Sequence, residues 1–162
     1  MILTPHAIVG AALANIFPSD PALGFGLAFV SHYVLDMMPH TDYKIDNFVD
    51  KETKTVRSIF KSAGSALHLL SIAFDFLIAM FLCVLFFVRD EKSALITLVG
   101  IVGGLLPDFF QFLYLKYKNQ PWIFLQKVHD KLHFEIKTKY LGILVQIFLP
   151  ILILVIYFLI KK

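Results

Sequence analysis

The chain has 162 residues, of which 58% are hydrophobic and 17% charged, with a net charge of +3. This is far more apolar than a soluble domain of that length requires, and it reads as one small all-α integral membrane domain, with no reason to expect nucleic acid as a partner. The single cysteine, Cys83, lies in the apolar run Phe81-Leu82-Cys83-Val84-Leu85, which excludes a disulfide framework and a thiolate metal site.

The start, Met1 to His6, lacks the basic region of a signal peptide, so the N-terminus is expected to be retained. Thr4-Pro5 is a cap followed by proline and predicts a first helix over 5–17, closed by Pro18. At 1.5 Å per residue that helix covers only about half the hydrocarbon thickness of a bilayer. Asp20-Pro21 repeats the signal and starts a second helix over 21–38, so the two form a hairpin. Segments 65–88 and 93–117, joined by Arg89-Asp90-Glu91-Lys92, are of membrane length, as is 140–160. Between the last two, 121–136 places Trp122, Leu125, His129, Leu132, His133 and Ile136 at helical spacing, the pattern of an amphipathic helix lying in the interface.

The basic residues set an orientation. Lys44, Lys51, Lys54, Arg57 and Lys61 fill one polar stretch, and Lys116, Lys118, Lys127, Lys131, Lys137 and Lys139 another. The opposite side holds Arg89, Lys92, Lys161 and Lys162. An excess of Lys and Arg marks the cytoplasmic side, which puts both rich loops and the N-terminus there. The phenylalanines of 76–87 and 109–112 read as lipid-facing or packing surface.

All six histidines, His6, His32, His40, His68, His129 and His133, then fall at apolar segment ends on one side. His32 and Asp36 are four apart, so they share a helix face and can reach one ion. His40 and Asp42 follow in the loop after Pro39, free to turn back toward the same point and to serve catalysis. His6 and His68 start the first and third helices at the same end. Asp75 lies two turns beyond His68, about 10 Å deeper, where it suits a second ion, orientation of a ligand histidine, or proton carriage. In Gly103-Gly104-Leu105-Leu106-Pro107-Asp108, small residues and a proline invite close helix contact and a kink ahead of a carboxylate. His129 and His133 are again four apart and either join the ligands or cover them from a surface helix.

Two stretches, Gly26-Leu27-Ala28-Phe29-Val30-Ser31-His32-Tyr33-Val34-Leu35-Asp36-Met37-Met38-Pro39-His40 and Gly103 to Asp108, resemble the signatures of the predicted membrane-bound metal-dependent hydrolases. That group is distantly similar to zinc-dependent phospholipase C and the S1/P1 nucleases. The resemblance implies a zinc cluster on an all-α scaffold, with His6, His32, Asp36 and Asp108 as ligands. It does not reach the third and fifth helices.

From the residues themselves, nitrogen and carboxylate ligands without thiolates suit zinc, manganese or iron, and an ion with an open position supports hydrolysis. The expectation is a divalent-metal centre of His6, His32, Asp36, His68 and Asp108, with Asp75, His129 and His133 as further candidates and His40 and Asp42 as catalytic groups. Its substrate would be a phosphoester or lipid-like molecule met at the cytoplasmic leaflet among membrane lipids. A metal-ion or proton-coupled transporter, or a non-catalytic helical membrane protein, is the alternative.

Overall fold

A computed structural model describes residues 1–43, 63–134 and 138–162. Among these residues there are six helices and no strand: α1 (Leu3–Ile16), α2 (Pro21–Asp36), α3 (Ala63–Phe87), α4 (Glu91–Tyr117), α5 (Trp122–Leu132) and α6 (Lys139–Ile160). Asp20 caps α2 through the Leu23 amide at 2.9 Å, with Pro21 in the first helical position, and Asp90 and Ser93 cap α4 reciprocally. The lysine-rich segment 44–62, on which much of the orientation argument rests, lies outside the described residues.

Most boundaries shift by a residue or two from the sequence reading, and three of the shifts bear on the site. α1 starts at Leu3, so Thr4 is inside the helix and is not its cap. α2 ends at Asp36 and not at 38, because Met37 begins a turn ahead of Pro39. α5 ends at Leu132, four residues short of the amphipathic pattern: His133 is extended, and the Phe134 amide donates to the Asp36 carbonyl at 2.8 Å. That bond pulls the chain back across the end of α2.

α1 is the hub, packed against α2, α3, α4 and α6, while α5 lies across α4 and α2. It runs antiparallel to the first half of α4 at a separation that only glycine permits. A Cβ on Gly104 would lie 2.5 Å from the His6 carbonyl oxygen, and Gly10 and Gly100 would each collide with the other's carbonyl. On the next face of α4, a Cβ on Gly103 would meet the Phe25 carbonyl of α2 at 2.8 Å. Small residues at such a seam let backbones approach and gain dispersion contacts where no hydrophobic drive separates helix from lipid. Asn15 locks the far end of the seam, donating to Thr97 Oγ1 and to the Ala11 carbonyl, both at 2.9 Å. Around the seam, Ala7, Ile8, Ala11 and Ala12 meet Ala79, Cys83 and Phe87 of α3, Ile101 of α4 and Tyr157 of α6.

Three helices, Ala66–Phe87, Glu91–Tyr117 and Tyr140–Ile160, are long and apolar enough to cross a membrane. α1, at about 21 Å, is not. α3 and α6 expose large apolar side chains around much of their circumference, among them Leu67, Phe74, Leu77, Phe81, Leu144 and Phe148.

The glycine seam yields a paired test. Gly104→Ala forces α1 and α4 apart and should cost about 1–3 kcal/mol, read as a lower thermal midpoint in detergent. Gly26→Ala, where a Cβ meets nothing within 4 Å, should be neutral or stabilising by up to about 1 kcal/mol.

Candidate metal centre

Five of the six histidines and three aspartates converge where α1 begins and α2 ends. Asp36 lies at the middle. Its Oδ1 is 3.2 Å from His6 Nε2 and 3.8 Å from His40 Nε2, and its Oδ2 is 3.1 Å from His32 Nε2 and 3.3 Å from His129 Nε2. Asp108, brought in by α4 one turn beyond Gly104, places Oδ1 3.7 Å from His32 Nε2 and 3.9 Å from His129 Nε2. The rings of His6 and His32 stack at 4.0 Å.

The hydrogen bonds behind the rings fix what they present to the centre. A carbonyl only accepts, so His32 donates from Nδ1 to the Gly104 carbonyl, and His40 donates from Nδ1 to the Met38 carbonyl, each at 2.8 Å. In a neutral imidazole the remaining nitrogen is then a lone pair, and for both rings that nitrogen, Nε2, faces carboxylate oxygens. Pro107 interrupts α4 and removes the amide that would bond the Gly103 carbonyl. The bond from His32 falls on the neighbouring Gly104 carbonyl.

Lone pairs aimed at carboxylates repel unless a proton or a cation lies between them. The buried atoms His6 Nδ1 and Nε2, Asp36 Oδ2, Asp108 Oδ2 and His129 Nδ1 make no hydrogen bond, a deficit worth about 1–3 kcal/mol per group. The separations fit an ion. Metal–ligand bonds of about 2.0–2.1 Å in tetrahedral geometry hold ligand atoms roughly 3.3–3.4 Å apart, in the middle of the observed range. Three groups could hold a metal ion: His6, His32 and Asp36; His32, Asp108 and His129; and Asp36, His40 and His133. A ring whose other nitrogen bonds a backbone carbonyl is the usual support of a metal-bound histidine.

Burial divides the centre. His6, His32 and His40 have no exposed side-chain surface and Asp36 has 1%, whereas Asp108, Asp42 and His133 keep 23, 25 and 20%. The accessible edge is therefore Asp108, Asp42 and His133. There His133 Nε2 is 2.8 Å from Asp42 Oδ2, with His40 Nε2 3.0 Å from His133 and 3.4 Å from Asp42. Burial works against a charge on Asp42, yet bonds from His133 and His40 and the Met1 amino group 2.5 Å away hold its carboxyl far below the usual range. The same bond raises His133 above its ordinary value, with burial opposing. α6 steadies this loop from the side: Gln146, buried in the helix, donates to the Thr41 carbonyl and Oγ1, and Gly142 leaves room for Thr41.

The sequence candidates sort accordingly. His6, His32, Asp36 and Asp108 come together. His129 and His133, treated as a cover in one reading, stand inside two of the groups, because α5 crosses α4 and α2 and the chain folds back after Leu132. His40, expected as a catalytic group, is buried and falls in one group with Asp36 and His133. Asp42 belongs to none of the three groups among the described residues.

His68 and Asp75 are also outside the three groups. α1 docks on α3 at Asp75, two turns from His68. The Asp75 carboxylate accepts from the Leu3 amide at 2.7 Å, the Thr4 amide at 3.2 Å, Thr4 Oγ1 at 2.6 Å and the Tyr43 hydroxyl. It is the N-terminal cap of α1, supplied by another helix, and through Tyr43 it also holds the residue beside Asp42. A carboxylate at a helix N-terminus satisfies orphan amides and complements the helix dipole.

Asp75→Ala should lower stability by about 1–3 kcal/mol by stranding those donors and leave metal content unchanged, checked by thermal unfolding and elemental analysis. Metal loss with unchanged unfolding would make Asp75 a ligand.

No family model, curated protein or solved structure matches this chain.

Proposed function

We propose that this protein is an integral membrane, metal-dependent hydrolase acting on a phosphoester at the cytoplasmic face, with a divalent cation, zinc for preference, held by His6, His32, Asp36, Asp108 and His129. One observation carries the reading: His6 Nδ1 and Nε2, Asp36 Oδ2, Asp108 Oδ2 and His129 Nδ1 are buried without hydrogen bonds, in a cluster whose ring nitrogens and carboxylate oxygens stand at ligand-to-ligand separations. The apolar girdles of α3 and α6, large for a protein in water, support insertion in a bilayer. The signatures at His32 to Asp36 and Gly103 to Asp108 support the family, and the lysine distribution supports the side.

A cation in such a site supplies Lewis acidity, polarising a phosphoryl oxygen and lowering the pKa of water. The chain's own residues handle the protons. Hydrolysis adds water across a P–O bond, so one proton must leave the attacking water and one must reach the departing alcohol. The Asp42–His133 pair lies on the accessible edge beside Asp108, where a phosphoester would approach. Asp42 orients the ring, and Nε2 of His133 holds or releases the proton.

Transport of a metal ion or protons would call for an intramembrane carboxylate free to exchange its partner. Asp75, the residue best placed by depth, is committed to the end of α1.

Protein purified in detergent should contain stoichiometric metal and cleave p-nitrophenyl phosphate. Chelation should remove the activity and added zinc or manganese restore it, while His32→Ala with Asp36→Ala should abolish both metal and turnover. Folded wild type that takes up no metal under any loading condition would end the proposal.

A further inference from the structure

A row of aromatic rings leads away from the centre along the seam between α2 and α4. Phe25, Phe29 and Tyr33 are spaced four apart on α2, so they share one face over about 12 Å. Phe25 and Phe29 stack at 6.4 Å, and Tyr33 meets Phe29 edge-on at 5.6 Å. Phe110 of α4 packs on Phe29 at 6.4 Å, and Trp122 of α5 packs on Phe110 at 5.7 Å. All five rings are half-buried, neither sealed in the core nor fully exposed. At the upper end Tyr33 touches both His32, at 5.5 Å, and His129, at 6.2 Å. At the lower end Phe25 lies against Gly103, near the midpoint of the membrane-length helix α4.

We infer that this row seats the apolar chain of the substrate, so that the hydrolase acts on a phosphorylated lipid, with its phosphate at the centre and its chain beside Tyr33, Phe29, Phe25, Phe110 and Trp122. The inference rests on the phosphoester reading above. Three features select this occupant over a protein partner. The row is continuous with the cation centre through Tyr33, so one ligand must satisfy a cationic head site and an apolar strip together. The strip descends along α2 to the middle level of α4, a depth that lipid chains reach and soluble partners do not. The strip carries aromatic rings, which suits a chain without hydrogen-bonding demands. Tyr33, at the junction, positions the ester between the two parts.

The chain has one tryptophan, and it stands on this row, so chain occupancy can be read directly. The full-length protein is reconstituted in phosphatidylcholine vesicles, and either phosphatidate or phosphatidylcholine with brominated acyl chains is added at increasing mole fraction. Brominated phosphatidate should quench Trp122 saturably at a several-fold lower mole fraction than brominated phosphatidylcholine. Phe29→Ala with Phe110→Ala should raise the half-saturating phosphatidate fraction about tenfold, equivalent to about 1.4 kcal/mol, with metal content and p-nitrophenyl phosphate turnover retained. Should the alanine pair unfold, Phe29→Leu carries the same test at smaller amplitude.

Equal quenching by the two brominated lipids would overturn the inference, as would an unchanged half-saturation in a folded variant. Either result alongside normal p-nitrophenyl phosphate turnover removes the lipid seat and leaves the hydrolase standing. Selective, row-dependent phosphatidate quenching in a protein without turnover on any metal keeps the seat and removes the hydrolase.

Discussion

The structure depends on the close approach of α1 to α4 through Gly10, Gly100 and Gly104. Backbone meets backbone there, and side-chain volume on either helix would open the seam. The seam also sets the register of the centre, because His6 lies at Gly104 on one helix and Asp108 follows one turn later on the other. The Gly104 carbonyl is the acceptor that turns His32 toward Asp36. Packing and chemistry thus share residues.

The second constraint is electrostatic. A carboxylate with almost no exposed surface among four imidazoles, with a second carboxylate beside it, is a costly arrangement, and the Met1 amino group, 3.2 Å from Asp36 Oδ1, offsets it at one oxygen while Oδ2 has no hydrogen-bond donor. The surrounding scaffold resists relaxation: Gln146 of α6 grips the Thr41 loop, Asp75 of α3 grips the start of α1, and Phe134 bonds the end of α2. Side chains that could have turned away from one another are kept facing inward. Such preorganisation is expected of a site that must take up an ion in a fixed geometry.

Much of this was legible in the sequence. The start of α2 could be read from Asp20-Pro21, because that cap is made within four residues of chain, and Arg89-Asp90-Glu91-Lys92 could be read as the turn between two long segments; the Thr4-Pro5 signal misled, since α1 begins at Leu3 and takes its cap from Asp75. His32 and Asp36 could be placed on one face because their spacing matches a helical turn. The position of Asp75 could not be read, because its role is created by a helix end that arrives from 71 residues away. Depth along α3 suggested a second ion, orientation of a ligand histidine or proton carriage, whereas in the structure the carboxylate caps α1. His133 was among the further candidates, but its placement could not be read: its four-residue spacing from His129 implied a continuing helix, whereas the chain leaves that helix at Leu132 and Phe134 bonds Asp36. His68 shared the end of the bundle with the others, yet α1 engages α3 two turns further along, and sharing an end is weaker than sharing a level.

The borrowed cap on α1 has a consequence for assembly. α1 is too short to cross a bilayer, its amides gain their acceptor from α3, and its flat glycine face gains a partner from α4. A ribosome delivers α1 before either of them exists. α1 precedes both partners in the chain and can be seated fully only once α3 and α4 have been made. The cluster, which takes His6 from α1 and Asp108 from α4, is therefore complete only after α4 has been made.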